Sequence, residues 1–537
     1  MTKKLVFLLL FTNPLWAAIN AGCVWEIRTT GAQNNGGGFV WTSLVNATYK
    51  WTAGGGGTNE YYCQAAAGGN PSLIEPTSVT TDGNYNLAAN GTMDSLAAGE
   101  WDWGDSDGLG YSTLYVRLAD GTDPDTKIAR GQPGYVSYGL TGGTDYSQQA
   151  NPVRTWVAAT GTYTNDLSLT NATPSVMTSA SYNFTSIDNG NIVHLTAGDH
   201  ITPGWYQIVS VAAGAATLSA KAITDEPHAN GTGYEGGALL LGGTLDDELL
   251  EAAVAGNRWY IALGTYTTGE TIQVTAAGNT TDSISVLGYN GTRGDTPLGN
   301  NRPLIDGGAN NPGFRIDGGY YYIANLHFTT SAPTYALYCL GTCTTVFNIY
   351  AGNAAVGGRG IALLGAYCTA LGCEATASTN IALALGATAA VKGCYLHDSA
   401  MGIFTASSSG RFLGCVIDTC TTGMDLDGGA DHVDNCTIYG CTTGIDSGSV
   451  NDIITNCILS GNTTGFKGVS ALNVVAYCCL DNTTDFSETN PALKIGNIFG
   501  DPGLADPANG DFRVDSSDAN VYQQGVDVGY FTPAKTY

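Results

Sequence analysis

The sequence predicts an all-β protein whose C-terminal half is a parallel β-helix of about 21 residues per coil, and three observations carry that expectation. Cys373, Cys394, Cys415, Cys436, Cys457 and Cys478 recur at an interval of 21 residues. Apolar columns keep the same step: Val391, Phe412, Val433, Ile454 and Val475 precede the cysteines, and Leu396, Ile417, Ile438, Leu459 and Leu480 follow them. A third column, Ile403, Met424, Ile445 and Phe466, stands behind Gly402, Gly423, Gly444 and Gly465. Short strands that turn at Gly, Asn and Thr and recur at a fixed interval describe a solenoid, in which each residue lies above its equivalent in the preceding coil.

Equivalent residues in adjacent coils are about 4.8 Å apart, so the cysteines form an internal ladder of small apolar side chains. Metal or redox chemistry would need convergent geometry and, usually, histidine. This row is linear and shadowed by Val, Ile and Leu, which favours packing. Cys420 over Cys441 is a second short column, where an inter-coil disulfide is geometrically possible.

The 537 residues suffice for two or three domains with a large core. Acidic residues outnumber basic ones 46 to 20, and the net charge of -26 argues against nucleic acid or an anionic membrane as partner. Residues 1–21 place Lys3 and Lys4 before an apolar run and small residues, the pattern of a secretory signal peptide with cleavage near Ala21. No other segment reads as a membrane span. Cys23, after Ala21-Gly22, resembles a lipoprotein cleavage box, but Asn20 stands where such boxes carry an aliphatic residue. The alternative is a disulfide with Cys63 in an oxidising compartment.

After the leader, residues 22–57 and 131–243 read as an N-terminal β domain, with residues 58–130 inserted as a smaller one. Residues 244–256, TLDDELLEAAVAG, carry the one helical stripe in the chain. Thr244 can cap it, Asp246 and Asp247 suit its positive end, and Gly256 ends it. An amphipathic helix there would plug the open edge of the first coil. Coils then run within residues 244–488, from about Tyr260 to Phe486, giving roughly eleven coils and a rod of about 50 Å. The tail, residues 489–537, is proline-punctuated from Ile498 and is expected to cover the far end.

The segments VWEIRTTGAQNNGGGFV, GGTDYSQQ, WYIALGTYT, ISVLGYNGTRGD and DPANGDFRV resemble a family of right-handed parallel β-helix repeat proteins of phage virions and secreted bacterial surface proteins. The block GEWDWGDSDGLGYSTLYVRLADGTDPD is similar to a small module of phage structural proteins. The resemblance implies right-handed coils over most of the chain and is specific for fold, not for function. Phage relatives typically begin at the VWE-type motif, so the leader shifts weight toward an exported protein.

Pectate-lyase-like β-helices need Arg or Lys to neutralise and deprotonate a uronate, commonly with calcium. Between Ala351 and Asn490 only Arg359, Lys392, Arg411 and Lys467 occur, at scattered coil positions. Glycoside hydrolysis instead needs paired carboxylates about 5 to 9 Å apart. Asp425 and Asp446 share an outward column with Asp427 nearby, and His397 lies beneath Asp418. These are the candidate catalytic residues, set against the plainer reading of a solvated acidic face. Asp102, Asp105 and Asp107 are oxygen donors in a tight turn that suits calcium, the one cofactor considered, although Asp and Gly also stabilise turns without an ion. The six histidines make no zinc spacing, and no phosphate loop or nucleophile motif occurs.

This inventory favours binding over catalysis. The expected protein is a secreted, cell-surface or virion-associated rod that acts by self-assembly or by holding a surface glycan or protein. Its N-terminal aromatics Trp25, Trp51, Trp101, Trp103 and Tyr111 are of the kind that anchor interfaces. The rivals are a carbohydrate-active enzyme using the outer-face aspartates and a trimeric phage tail spike that binds a receptor.

Overall fold

The computed structural model describes residues 23–514 apart from 41, 44–50, 55–56, 64–78, 82–84, 90, 93, 105–112, 119–120, 122–127, 130–131, 134–135, 139–143, 159, 226, 242–252, 270, 281–282, 310–311, 354, 378, 406–408, 469, 489–490 and 492. The leader, Asp105, Asp107, Tyr111 and most of the expected helix at 244–256 lie outside the described residues. The chain divides into two compact units, Met1–Leu240 with Ala252–Trp259, and Leu241–Glu251 with Tyr260–Tyr537.

The first unit holds an eight-stranded sheet built from residues 42–138 and a small barrel built from residues 154–235. The barrel closes because strand His228–Glu235 pairs on one side with Leu167–Leu169 and on the other with Ile192–Ala197. Closure removes sheet edges. Its interior is apolar: Trp156, Leu169, Met177, Phe184, Val193, Tyr206 and Ile208 are all buried. At its rim Arg154 Nη1 lies 2.8 Å from Asp188 and 3.0 Å from Glu235. One guanidinium cannot neutralise two buried carboxylates, and burial pushes Glu235 up to about 8. Cys23 is buried in strand Cys23–Ile27, and the side chain of Cys63, the partner considered for a disulfide, lies outside the described residues.

The second unit is the parallel β-helix, with three strands per coil. A representative coil is Ala390–Lys392, Tyr395–His397 and Met401–Thr405, after which Arg411–Leu413 begins the next. Stacked coils make three parallel sheets. Within this unit the first runs from Ile284–Tyr289 to Val474–Ala476, the second from Thr265–Thr267 to Ile498–Phe499, and the third from Ile272–Val274 to Thr484–Glu488. Val391, Phe412, Val433, Ile454 and Val475 are successive register partners in the first sheet. Leu396 to Leu480 are so in the second, and Ile403 to Phe466 in the third. All of these are buried, none more than 1% exposed.

The 21-residue step holds only for the later coils. In the first sheet the stacked core residues are Val286, Ile323, Val346, Ala370 and Val391, at intervals of 37, 23, 24 and 21 residues. Early coils are longer, so fewer fit than a uniform 21-residue division allows.

Each corner of the coil turns on a left-handed residue. Between the first and second sheets these are Gly372, Gly393, Gly414, Asn435, Asn456 and Tyr477, all with φ between 52° and 61°. Gly and Asn tolerate that conformation best, which explains why they stand just before the cysteines. Inside each corner, a side chain accepts a backbone N–H from the coil before. Cys394 Sγ takes the N–H of Cys373 and Cys436 Sγ that of Cys415, each at 3.4 Å, and Asn497 ends the row on Cys478 N at 2.9 Å. Asn462 and Asn482 do the same at the second corner, and Asp431, Asp452 and Asn473 at the third. The cysteines thus fill positions where asparagine serves elsewhere. All six are free and buried, as are Cys420 and Cys441, so the inter-coil disulfide considered for that pair is absent.

Burial pushes the thiols of Cys436 and Cys457 up, which keeps them protonated and unreactive. Cys436→Ala is expected to cost about 1 to 2 kcal/mol in urea unfolding, through a small cavity and a weak hydrogen bond. Native Cys394 to Cys457 should resist thiol reagents until the solenoid unfolds. Rapid labelling of the folded protein would place them outside.

Leu493, Ile495 and Ile498 bond to Val475, Tyr477 and Cys478 as a last partial coil. Beyond it the hairpin of Leu504–Asp506 and Asp511–Val514 lies along the side of the solenoid, with Phe512 against Tyr395 and Tyr439 of the second sheet. Leu493, Ile495 and Phe499 are 41%, 47% and 63% exposed, and residues 515–537 of the expected cap lie outside the described residues.

Candidate functional site

The outward positions of the third sheet form one continuous column: Gln273, Arg315, Tyr338, Ala362, Ala384, Phe404, Asp425, Asp446, Lys467 and Ser487. They alternate with the buried Leu337, Ile361, Leu383, Ile403, Met424 and Ile445. From Arg315 to Lys467 the column is about 34 Å long at the strand spacing.

Its chemistry changes along the rod. At one end Arg315 pairs with Asp317 at 2.7 Å and lies 5.7 Å over the Tyr338 ring, while Gln273 donates to the other oxygen of Asp317 at 2.7 Å. Tyr335 and Tyr338 stack at 5.2 Å, and the Arg359 guanidinium sits 5.1 Å over Tyr335. Next come Ala362, Ile381 and Ala384, buried under the flanking side chains, with Met401 and Phe404 half-buried beside them. This is an apolar, aromatic platform on the outside of a sheet.

Beyond Phe404 the column turns acidic. Asp425 and Asp446 are register partners, and Lys467 Nζ lies 2.9 Å from Asp446 and 3.5 Å from Glu488. Partial burial, reinforced by Asp427 and Asp446, pushes the Asp425 carboxyl up to about 6. Asp427, just past the strand, is exposed. The predicted trio therefore shares one surface, next to an aromatic platform that the sequence reading missed. The intervals from Tyr338 through Ala362, Ala384 and Phe404 are 24, 22 and 20 residues, so a fixed step of 21 does not find them.

His397 and Asp418 lie on a different face, as register partners in the second sheet with Tyr439 next in line. His397 Nδ1 is 2.8 Å from Asp398 and Nε2 is 3.5 Å from Glu374, and its ring stacks on Tyr395 at 4.4 Å. The Glu374 and Asp398 hydrogen bonds raise the His397 pKa against burial. Burial raises that of Asp418, which accepts a hydrogen bond from the Tyr395 hydroxyl. The Asp425 group and the His397 group thus form two separate clusters.

Asp102 lies on strand Glu100–Gly104 opposite Tyr115. Among the described residues no group of three or more His, Cys, Asp or Glu is placed to hold a metal ion, and no helix is long and apolar enough to cross a membrane.

No protein-family model matches the chain, and no curated protein does. Solved structures do. A mannuronic acid specific polysaccharide family 6 lyase from human gut microbiota is 11% identical over 44% of this chain and 62% of its own, with a TM-score of 0.33. Pectate lyase Pel9A is 14% identical over 49% and 72%, at 0.28. ORF18 of Geobacillus virus E2 is 13% identical over 48% and 56%, at 0.26. The chain therefore spans less than two thirds of the lyase it matches first, and likenesses at these TM-scores carry no argument about this chain.

Proposed function

We propose that the protein is an exported or virion-borne β-helix rod that holds a glycan along the outer face of its third sheet without cleaving it. One observation carries the reading: the register column that runs from the Arg315–Tyr338 end, over the Ala362–Ala384 floor and Phe404, into Asp425, Asp446 and Lys467. Sugar rings present apolar faces that suit aromatic platforms, and hydroxyl edges that suit carboxylates and guanidinium groups. The tightly hydrogen-bonded corners suit a scaffold, since they hold the strip rigid along its length. Export would follow from the leader at residues 1–21, and self-assembly or trimerisation is the part of this reading that native mass measurement checks.

A second reading has its own support. Asp425 is pushed up to about 6 by partial burial, beside Asp446 in register on the next coil, and a neighbouring carboxyl pair of this kind can divide acid and nucleophile roles in glycoside hydrolysis.

The test is calorimetric binding to soluble alginate, polygalacturonate, xylan and dextran, alongside an assay for new reducing ends. Phe404→Ala is expected to weaken binding at least about tenfold, or 1.4 kcal/mol, with no glycan cleaved by either protein. Cleavage abolished by Asp425→Asn or Asp446→Asn would replace the binding reading with the hydrolase. Unchanged affinity in Phe404→Ala would remove the ligand from this face.

A further inference from the structure

The second sheet carries a filled aromatic slot. Tyr395 and Tyr439 stand two coils apart, and the coil between them bears Asp418. The Phe512 ring of the C-terminal hairpin lies 6.3 Å from Tyr395 and 5.9 Å from Tyr439, tilted by 55° and 62°. It spans the gap over the Asp418 coil. Gly510, in a left-handed turn at φ 81°, brings the hairpin tip to the Tyr395 hydroxyl.

The fit is incomplete in one respect. Asp418 is only 8% exposed, and although its carboxyl accepts from the Tyr395 hydroxyl, its Oδ1 has no hydrogen-bond partner. A buried acceptor without a donor is costly, and a phenyl ring has no donor to offer. Phe512 therefore supplies the ring face that the slot takes and lacks the hydroxyl that Asp418 would accept. Among the described residues the hairpin's two strands pair with each other, Phe512 is half-buried, and the Asp511–Arg513 ion pair is at the surface.

We propose that the slot between Tyr395 and Tyr439 is a saccharide subsite, which the chain keeps closed with its own Phe512 until a pyranose ring with a hydroxyl donor displaces it. The proposal shares its ligand class with the glycan-binding reading but concerns another face, so either can fail alone. Displacement would exchange one ring contact for another and give Asp418 Oδ1 a donor beside the Tyr395 hydroxyl that the carboxyl already accepts.

The test uses the full chain with alginate, polygalacturonate, xylan and dextran as probes. Phe512→Ala is expected to bind at least one of them about tenfold more tightly than wild type. Adding Tyr439→Ala should abolish the gain, and adding Phe404→Ala should leave it. In wild type, saturating polysaccharide should speed amide exchange in residues 504–514. No tighter binding in Phe512→Ala, a gain that depends on Phe404 and not on Tyr439, or unchanged exchange in the hairpin would each overturn the proposal.

Discussion

Asp452→Ala is expected to lower the stability of the solenoid by about 4 kcal/mol, far more than any substitution on its outer faces. Asp452 is fully buried at the corner between the third and first sheets. Its carboxylate accepts from the Ser447 hydroxyl at 2.6 Å, the Ser449 hydroxyl at 2.9 Å and the Asp431 N–H at 3.0 Å. Its own N–H donates to Asn473 Oδ1 at 3.1 Å, and Asn473 Nδ2 donates to Ser447 at 2.6 Å. Alanine would leave the Asp431 N–H and the Ser447 hydroxyl short of an acceptor in the interior, each costing about 1 to 3 kcal/mol, while Ser449 keeps the Leu426 carbonyl at 2.8 Å. The contrast is Asp446→Ala, which breaks a half-exposed pair with Lys467 and should cost less than about 1 kcal/mol. All nine tryptophans lie at or before Trp259, so their emission follows the first unit, while loss of circular dichroism that leaves this emission unchanged follows the solenoid. A loss below about 1 kcal/mol for Asp452→Ala would show that the corner tolerates open hydrogen bonds.

The same ladder shows what the sequence could and could not disclose. The apolar columns were legible because parallel stacking places each residue on its equivalent, so a buried position repeats its chemistry at the coil interval. Gly410, Asp431, Asp452 and Asn473 keep the 21-residue step too, two residues before Phe412, Val433, Ile454 and Val475. They pass for turn residues because Asp and Asn serve both purposes, and only burial separates an internal ladder from a solvated loop. The cysteine row was legible as packing. Its second property, accepting N–H groups where Asn462 and Asn497 do so elsewhere, depends on corner geometry.

The candidate site was legible in part. The Asp425–Asp446 pairing followed from the period, as did His397 under Asp418. The platform of Tyr335, Tyr338 and Phe404 did not, because the longer early coils shift its column off the 21-residue step. The docking of Phe512 on Tyr395 and Tyr439 joins residues over 70 positions apart with no repeat to announce it. The disulfide considered for Cys420 and Cys441 failed for a local reason: Cys420 Sγ bonds to the carbonyl of Asp418 at 3.3 Å and Cys441 Sγ to that of Tyr439 at 3.5 Å.

Mild acid is expected to stabilise the solenoid, and Asp431 is the group to which most of the effect is assigned. Burial pushes its carboxyl up to about 6, the charge of Asp452 adds to this, and the Gly410 N–H at 2.6 Å and the Thr405 hydroxyl at 3.1 Å oppose it. An unfolded aspartate titrates near 3.9, so between about pH 4 and 6 the folded chain binds a proton that the unfolded chain does not. Stability therefore rises as pH falls from 7 through 6, by about 2 kcal/mol from this group. Asp425, also pushed up to about 6, adds in the same direction with a smaller share because water reaches it. Glu374 and Asp398 are shifted down, chiefly by hydrogen bonds to His397, so their contribution is lost once the pH drops below the ordinary carboxylate range. The two trends place the maximum near pH 4 to 5. Asp431→Asn keeps an oxygen for the Gly410 N–H and removes the buried charge. It should raise stability at pH 7 by about 2 kcal/mol and flatten the slope between pH 4 and 7, measured by urea unfolding across that range. A variant no more stable than wild type at pH 7, with the slope intact, would assign the titration to another carboxyl.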